Sequence, residues 1–216
     1  MLSYVPTKVY ILLRGGAGLK IAIFFILNEY ADWEGAYLAS ELNRSSDWKV
    51  KTASINSEVI SIGGFKTIVD YHIPEIPAKI DLLVLIGGNS WSIKNDHLRK
   101  LIAKQLRSKR PVAAICGAVD FLAQNGLLTH YKHTGNAQYL WKNYSNYTNH
   151  DDFIEKQAVK DLNLVTANGT ASLEFTKLIL KLIDFLPESE IDKSMALHEL
   201  GFYKYCEMYG NPYLAN

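Results

Sequence analysis

Strand-like runs whose apolar residues do not alternate, each giving way to a helix-like pattern, constrain this chain most. Lys20 to Leu27, Asp81 to Ile86 and Val112 to Ile115 carry Ile, Leu, Val, Ala and Phe on successive positions, the signature of strands covered on both faces. The first run is followed by Asp32, a helix N-cap candidate, and a helical pattern from Trp33 to Arg44. The second stops at Gly87-Gly88. Behind the capping candidates Asn95 and Asp96 come Leu98, Leu101, Ile102, Gln105 and Leu106 at spacings of three, four and seven. The third runs into Cys116-Gly117-Ala118 and a short helix ending at Asn125-Gly126.

Between and after these lie a second strand, Trp48 to Ile55, and an excursion of short strands from Val59 to His72. A polar stretch from Thr129 to Asp152 reads as loop, Leu162 to Ala167 as a last strand, and Ser172 to Phe185 as a helix ended by Pro187. A tail from Ile191 to Tyr209 has helical spacing. Strands alternating with helices imply an α/β fold, a doubly wound parallel sheet sandwich, whose ligands bind beyond the carboxyl ends of the strands.

At 216 residues, the chain is expected to form a single domain over 1–216, burying about 70% of its unfolded surface without a metal or disulfide staple. With 23 basic and 22 acidic side chains, the net charge of +1 offers no global field for nucleic acid or an anionic membrane. The longest apolar run, Ile21 to Leu27, falls far short of the roughly 20 residues a membrane span needs. Arg14 and Lys20 break up any signal-peptide core, so a cytoplasmic location is expected. Arg14-Gly15-Gly16-Ala17-Gly18 is not read as a phosphate loop, because a strand pattern follows it where a helix is needed.

Candidate chemistry gathers at three strand ends: Glu34, Gly87-Gly88-Asn89 and Cys116. A cysteine at a strand-to-helix junction with glycine beside it can sit on a tight turn, and a helix N-terminus favours its thiolate. The amides of Gly88 and Gly117 are candidates for facing a developing oxyanion. Taken alone, Glu34 reads equally as a first-turn acid complementing the helix dipole, and Cys116 as a buried structural cysteine. Cys206 shows no pairing context. His130, His133 and His150 lack companions at metal-ligand spacing and are expected on the surface, and no metal or cofactor is expected.

Four blocks together carry a resemblance: Ala31-Asp32-Trp33-Glu34, Leu83-Val84-Leu85-Ile86-Gly87-Gly88-Asn89, Val112-Ala113-Ala114-Ile115-Cys116-Gly117-Ala118 and Leu164-Val165-Thr166-Ala167-Asn168-Gly169. They resemble the DJ-1/PfpI family, within the class I glutamine amidotransferase-like superfamily, over roughly residues 20 to 186. Residues 1–19 stand outside the resemblance as an extension and 187–216 as a helical tail. The resemblance implies a flavodoxin-like sandwich, Cys116 on a nucleophile elbow, the Glu34 carboxyl hydrogen-bonded to the thiolate, Gly88 and Gly117 as oxyanion donors, and a homodimer.

Three departures bear on activity. PfpI-like members place a histidine directly after the nucleophile, where this chain has Gly117. DJ-1-like members carry one in the loop after the next helix, where Asn136 aligns, and the His-x-Glu pair of amidotransferases is replaced by Asn168-Gly169-Thr170. His133, 17 residues past Cys116, is the nearest substitute base. The leading expectation is a cysteine-dependent amidase, hydrolase or deglycase-like enzyme acting on a small molecule or peptide. The alternative is a redox-responsive stress or binding protein without hydrolytic activity, and the third an amidotransferase-like subunit.

Overall fold

The computed structural model describes residues 18–214. Residues 1–17 of the extension, with Arg14 to Ala17 of the glycine cluster, lie outside the described residues. In chain order the elements are β1 (Lys20–Phe25), α1 (Asp32–Arg44), β2 (Trp48–Ser54), β3 (Glu58–Ile60), β4 (Lys66–Ile68), β5 (Tyr71–His72), β6 (Leu82–Leu85), α2 (Asp96–Arg107), β7 (Val112–Ile115), α3 (Gly117–Gln124), β8 (Ala158–Asp161), β9 (Leu164–Ala167), α4 (Ser172–Leu182), α5 (Glu188–Leu200) and α6 (Phe202–Tyr209).

Seven strands form one sheet in the order β5-β2-β1-β6-β7-β9-β8, parallel except for β8. Because successive side chains point to opposite faces, the unalternated runs fill two cores at once. Ile23, Phe25, Leu83, Leu85, Val112 and Ala114 pack with Leu98 and Ile102 of α2 and Phe121 of α3. Ala22, Phe24, Leu82, Val84, Ala113 and Ile115 pack with Leu38 of α1, Phe175 and Ile179 of α4, and Ile191 and Met195 of α5. This is the doubly wound α/β sandwich that the sequence pattern implies, of the flavodoxin-like kind that the family resemblance implies. The chain leaves β1 toward β2 and returns on the other side to β6, so the order reverses between these strands, and their carboxyl ends open a crevice.

Local differences from the sequence reading have physical reasons. Asn95 caps α2 as expected, accepting from the Leu98 N–H at 2.9 Å. Asp32 is not the cap of α1; Ala31 holds that position, and the Asp32 carboxylate instead accepts the Gly63 N–H at 2.7 Å, tethering the β3–β4 hairpin to the helix start. The last strand is a hairpin: β8 pairs antiparallel with β9 across a tight turn at Leu162-Asn163, with Leu162 at φ 48°. The Asn163 amide holds that turn by donating to the carbonyls of Leu106 and Arg110 at 3.1 and 2.8 Å. The tail is two helices broken at Gly201 (φ 76°) rather than one.

Candidate active site

Cys116 stands between β7 and α3 with φ 56° and ψ −129°, a backbone conformation that L-residues seldom adopt and that costs on the order of 1–3 kcal/mol. The Cys116 N–H bonds the Ala167 carbonyl at 3.0 Å and its carbonyl accepts from Val119, so sheet and helix hold the strained residue from both sides. Its side chain is half-buried.

Glu34, in the first turn of α1, is fully buried. Its Oε2 accepts the Gly87 N–H at 2.7 Å. Oε1 is sealed from solvent without a regular hydrogen-bond partner, and the polar group it meets electrostatically is the Cys116 thiol. Glycine is required where these groups converge. A Cβ on Gly87 would stand 2.5 Å from Cys116 Cβ and 2.6 Å from Glu34 Oε2. One on Gly169 would stand 2.9 Å from the sulfur and 3.2 Å from Glu34 Oε1. Gly88, at φ 134°, bridges to Tyr30 through the Ala31 N–H to Gly87 O and Asn89 N–H to Glu29 O bonds, which leave its own amide out of the pairing. The Gly88 carbonyl packs against Gly117.

On the other side of the sulfur lies Asn136, whose Nδ2 donates to Cys116 Sγ at 3.3 Å. Its orientation is set by the Gly169 N–H, which donates to Asn136 Oδ1 at 2.9 Å and so turns the NH₂ toward the thiol. The Gly169 carbonyl in turn accepts from Trp33 Nε1 at 3.1 Å. Sequence reasoning aligned Asn136 with the family's histidine without assigning it a role, and named Gly87, Gly169 and Trp33 within its motifs without giving any of them a contact.

His133 is neither on the surface nor brought to the sulfur. It is fully buried, with Nδ1 on the Tyr131 carbonyl at 2.8 Å and Nε2 on the Tyr147 hydroxyl at 2.9 Å, inside a box of Trp141, Tyr147 and Phe153 rings. Burial there pushes the imidazole pKa down. His130 and His150 are exposed. Among the described residues, no group of three or more His, Cys, Asp or Glu side chains is placed to hold a metal ion.

Burial pushes the Glu34 carboxyl up to about 7, against the pull of the Gly87 N–H and the thiol. The thiol does not show the depression expected from its place at a helix N-terminus. Burial pushes it up, the Asn136 amide and the Gly117 N–H pull it down, and the charge of an ionised Glu34 pushes it up again. Glu34 and Cys116 therefore titrate as a pair. A protonated Glu34 beside a thiolate is the anionic form in which the sulfur is nucleophilic and both Glu34 and Asn136 can donate to it.

A strained cysteine at the carboxyl end of a parallel sheet, facing a buried glutamate from the neighbouring crevice, sits in a flavodoxin-like α/β sandwich. The chain belongs to the DJ-1/PfpI family, whose sequence profile it matches over residues 20–182. It is 56% identical over 196 residues to a Bacillus subtilis protein named uncharacterized protease YdeA, covering 91% of this chain and 100% of the relative. A second Bacillus subtilis protein, named uncharacterized protease YoaZ, is 35% identical over 177 residues, covering 76% and 84%. Among solved structures, a thiJ/pfpI family protein from Bacillus anthracis superposes with a TM-score of 0.80 at 31% identity, covering 90% of this chain and 100% of that one. A DJ-1 superfamily protein from Agrobacterium tumefaciens gives 0.76 at 31% identity, covering 84% and 100%.

Proposed function

We propose that this protein is a cysteine-dependent hydrolase of amide or related carbonyl substrates in which Cys116 and Glu34 act as a dyad. The observation that carries the reading is the otherwise unpartnered, solvent-sealed Oε1 of Glu34 set against the Cys116 thiol. A carboxyl titrating near 7 is matched to moving a proton at neutral pH. Ionised Glu34 accepts the thiol proton as Sγ attacks the carbonyl carbon. The oxyanion that forms meets the N–H groups of Gly88 and Gly117. Protonated Glu34 then returns the proton to the leaving nitrogen as the C–N bond breaks, giving a thioester on Cys116. In the second half, Glu34 takes a proton from water, the hydroxide displaces the thiolate, and the acid is released.

Asn136 has no proton to exchange at neutral pH, so its role is to hold the sulfur in place, while the acid–base work falls on Glu34 alone. That division separates this site from a Cys-His arrangement. The relatives named as proteases are consistent with amide hydrolysis. Aminomethylcoumarin peptide amides test the reading: turnover falls to background in Cys116→Ser and at least a hundredfold in Glu34→Gln. Turnover unchanged in Cys116→Ser overturns it. The chain is further proposed to be a cytoplasmic homodimer, and light scattering giving a 24.4 kDa particle at micromolar concentration refutes the dimer.

A further inference from the structure

A cleft of about 150 Å³ opens beside Gly88 and Gly117, walled by Trp91 and Tyr144 and floored along α3 by Asp120 and Gln124. That volume corresponds to roughly ten water-sized spheres, enough for an alkyl chain the length of a lysine side chain. Cys116, Asp120 and Gln124 are spaced four residues apart, so they follow one another along one face from the elbow down the helix.

Asp120 is half-buried and, among the described residues, without the ion-pair partner such a charge normally has. Among the described residues, no lysine, arginine or histidine forms an ion pair with it. Its Oδ1 accepts from Trp141 Nε1 at 2.6 Å, and because Trp141 is fully buried this bond fixes the carboxylate against the cleft wall. Burial pushes the Asp120 carboxyl up, with the indole N–H pulling the other way, and its charge helps raise the Tyr144 phenol on the facing wall. A desolvated carboxylate with one neutral donor gains most from an external cation.

We propose that this cleft is a subsite for an organic cation, a primary ammonium or guanidinium group carried by the substrate, with Asp120 as its counter-ion. Its service to catalysis rests on the reading of Cys116 as the nucleophile; the binding of the cation does not. On that reading, preferred substrates are peptides or amides with a basic side chain one or two residues from the attacked carbonyl.

Binding is measured apart from thiol chemistry by titrating the full chain carrying Cys116→Ser with N-acetyl-lysinamide and with N-acetyl-norleucinamide, read by the fluorescence of Trp91 and Trp141. The two probes differ in the ammonium group. The expected result is at least tenfold tighter binding of the lysinamide, reduced to within twofold by adding Asp120→Asn, which keeps the acceptor for Trp141. Gln124→Lys, on the exposed end of the cleft, supplies an internal ammonium and is expected to weaken lysinamide binding by a similar factor. Equal affinity for the two probes, no lysinamide binding, or a preference that survives Asp120→Asn overturns the proposal. A subsite that binds while Cys116→Ser leaves turnover unchanged upholds the cation site and refutes the hydrolase.

Discussion

Replacing Glu34 with glutamine isolates the cost of burying a carboxyl beside Cys116. Glutamine keeps the side-chain length and the acceptor for the Gly87 N–H, and it does not titrate. In the folded protein Glu34 is raised from an ordinary value of 4.5 to about 7. Below pH 4.5 the carboxyl is protonated in folded and unfolded chains alike, and the shift costs nothing. Between pH 4.5 and 7 the folded state holds the proton that the unfolded state releases, so stability falls as pH rises, and above 7 the loss is complete. A shift of 2.5 units at 1.36 kcal/mol each amounts to about 3 kcal/mol. For 216 residues, an unfolding entropy of about 0.45 kcal/mol/K turns this into roughly 7 °C in Tm. Urea titrations of the wild type and Glu34→Gln at pH 4, 5, 6, 7 and 8 give the difference directly. Glu34→Gln is expected to gain on the wild type steadily from pH 4.5 to 7 and hold the gain at pH 8. Stability curves that run parallel across this range, within about 0.5 kcal/mol, refute the assignment of a buried, neutral-range carboxyl.

The same pair predicts an inflection near pH 7 in the rate of Cys116 alkylation by iodoacetamide, read by intact mass, which Glu34→Gln removes. Asn136→Ala deletes the N–H donor to the sulfur and is expected to lower Cys116 reactivity at pH 7 by about tenfold, the worth of one hydrogen bond to a charged group. Gly169→Ala places a methyl 2.9 Å from the sulfur, and alkylation is expected to fall more than tenfold while the circular dichroism spectrum is retained. His133→Ala, by contrast, is expected to leave Cys116 reactivity within twofold and to destabilise the fold by about 2 kcal/mol or more, since it removes one of the two partners of the Tyr147 hydroxyl, leaving it Gln138, and opens a cavity among aromatic rings. Hydrogen peroxide that adds two oxygens to Cys116 at levels sparing free cysteine, in a protein without amide turnover, would favour the redox-responsive reading.

The parts of this fold legible in the sequence are those set by local pattern. Runs such as Leu82 to Ile86, short, apolar on successive positions and stopped by glycine or cysteine, read as doubly covered strands, and their ends mark the crevice. What escaped depends on distant partners. Asp32 has the local signature of a cap but is recruited by Gly63, 31 residues away. β8 has only four residues, with Lys160 and Asp161 at its end, and is defined by its pairing with β9. The burial of His133 comes from rings spread between Trp141 and Phe153 in a stretch without periodicity. Asn136 is an ordinary polar loop residue until the Gly169 N–H turns its amide. The upward pull on the thiol follows from desolvation, which no spacing of residues encodes, whereas the helix N-terminus that favours thiolate is visible in the chain.

The φ of 56° at Cys116 has a consequence for how such a chain can change. Glycine adopts this conformation freely, so Cys116→Gly relieves the turn and, apart from the lost packing, strengthens the fold. On the proposed reading of Cys116 as nucleophile, stability and chemistry therefore select opposite residues at one position. On that reading, a lineage that lost its substrate would have a downhill path to glycine there, so the residue at this turn serves as a marker of whether a relative still uses the site.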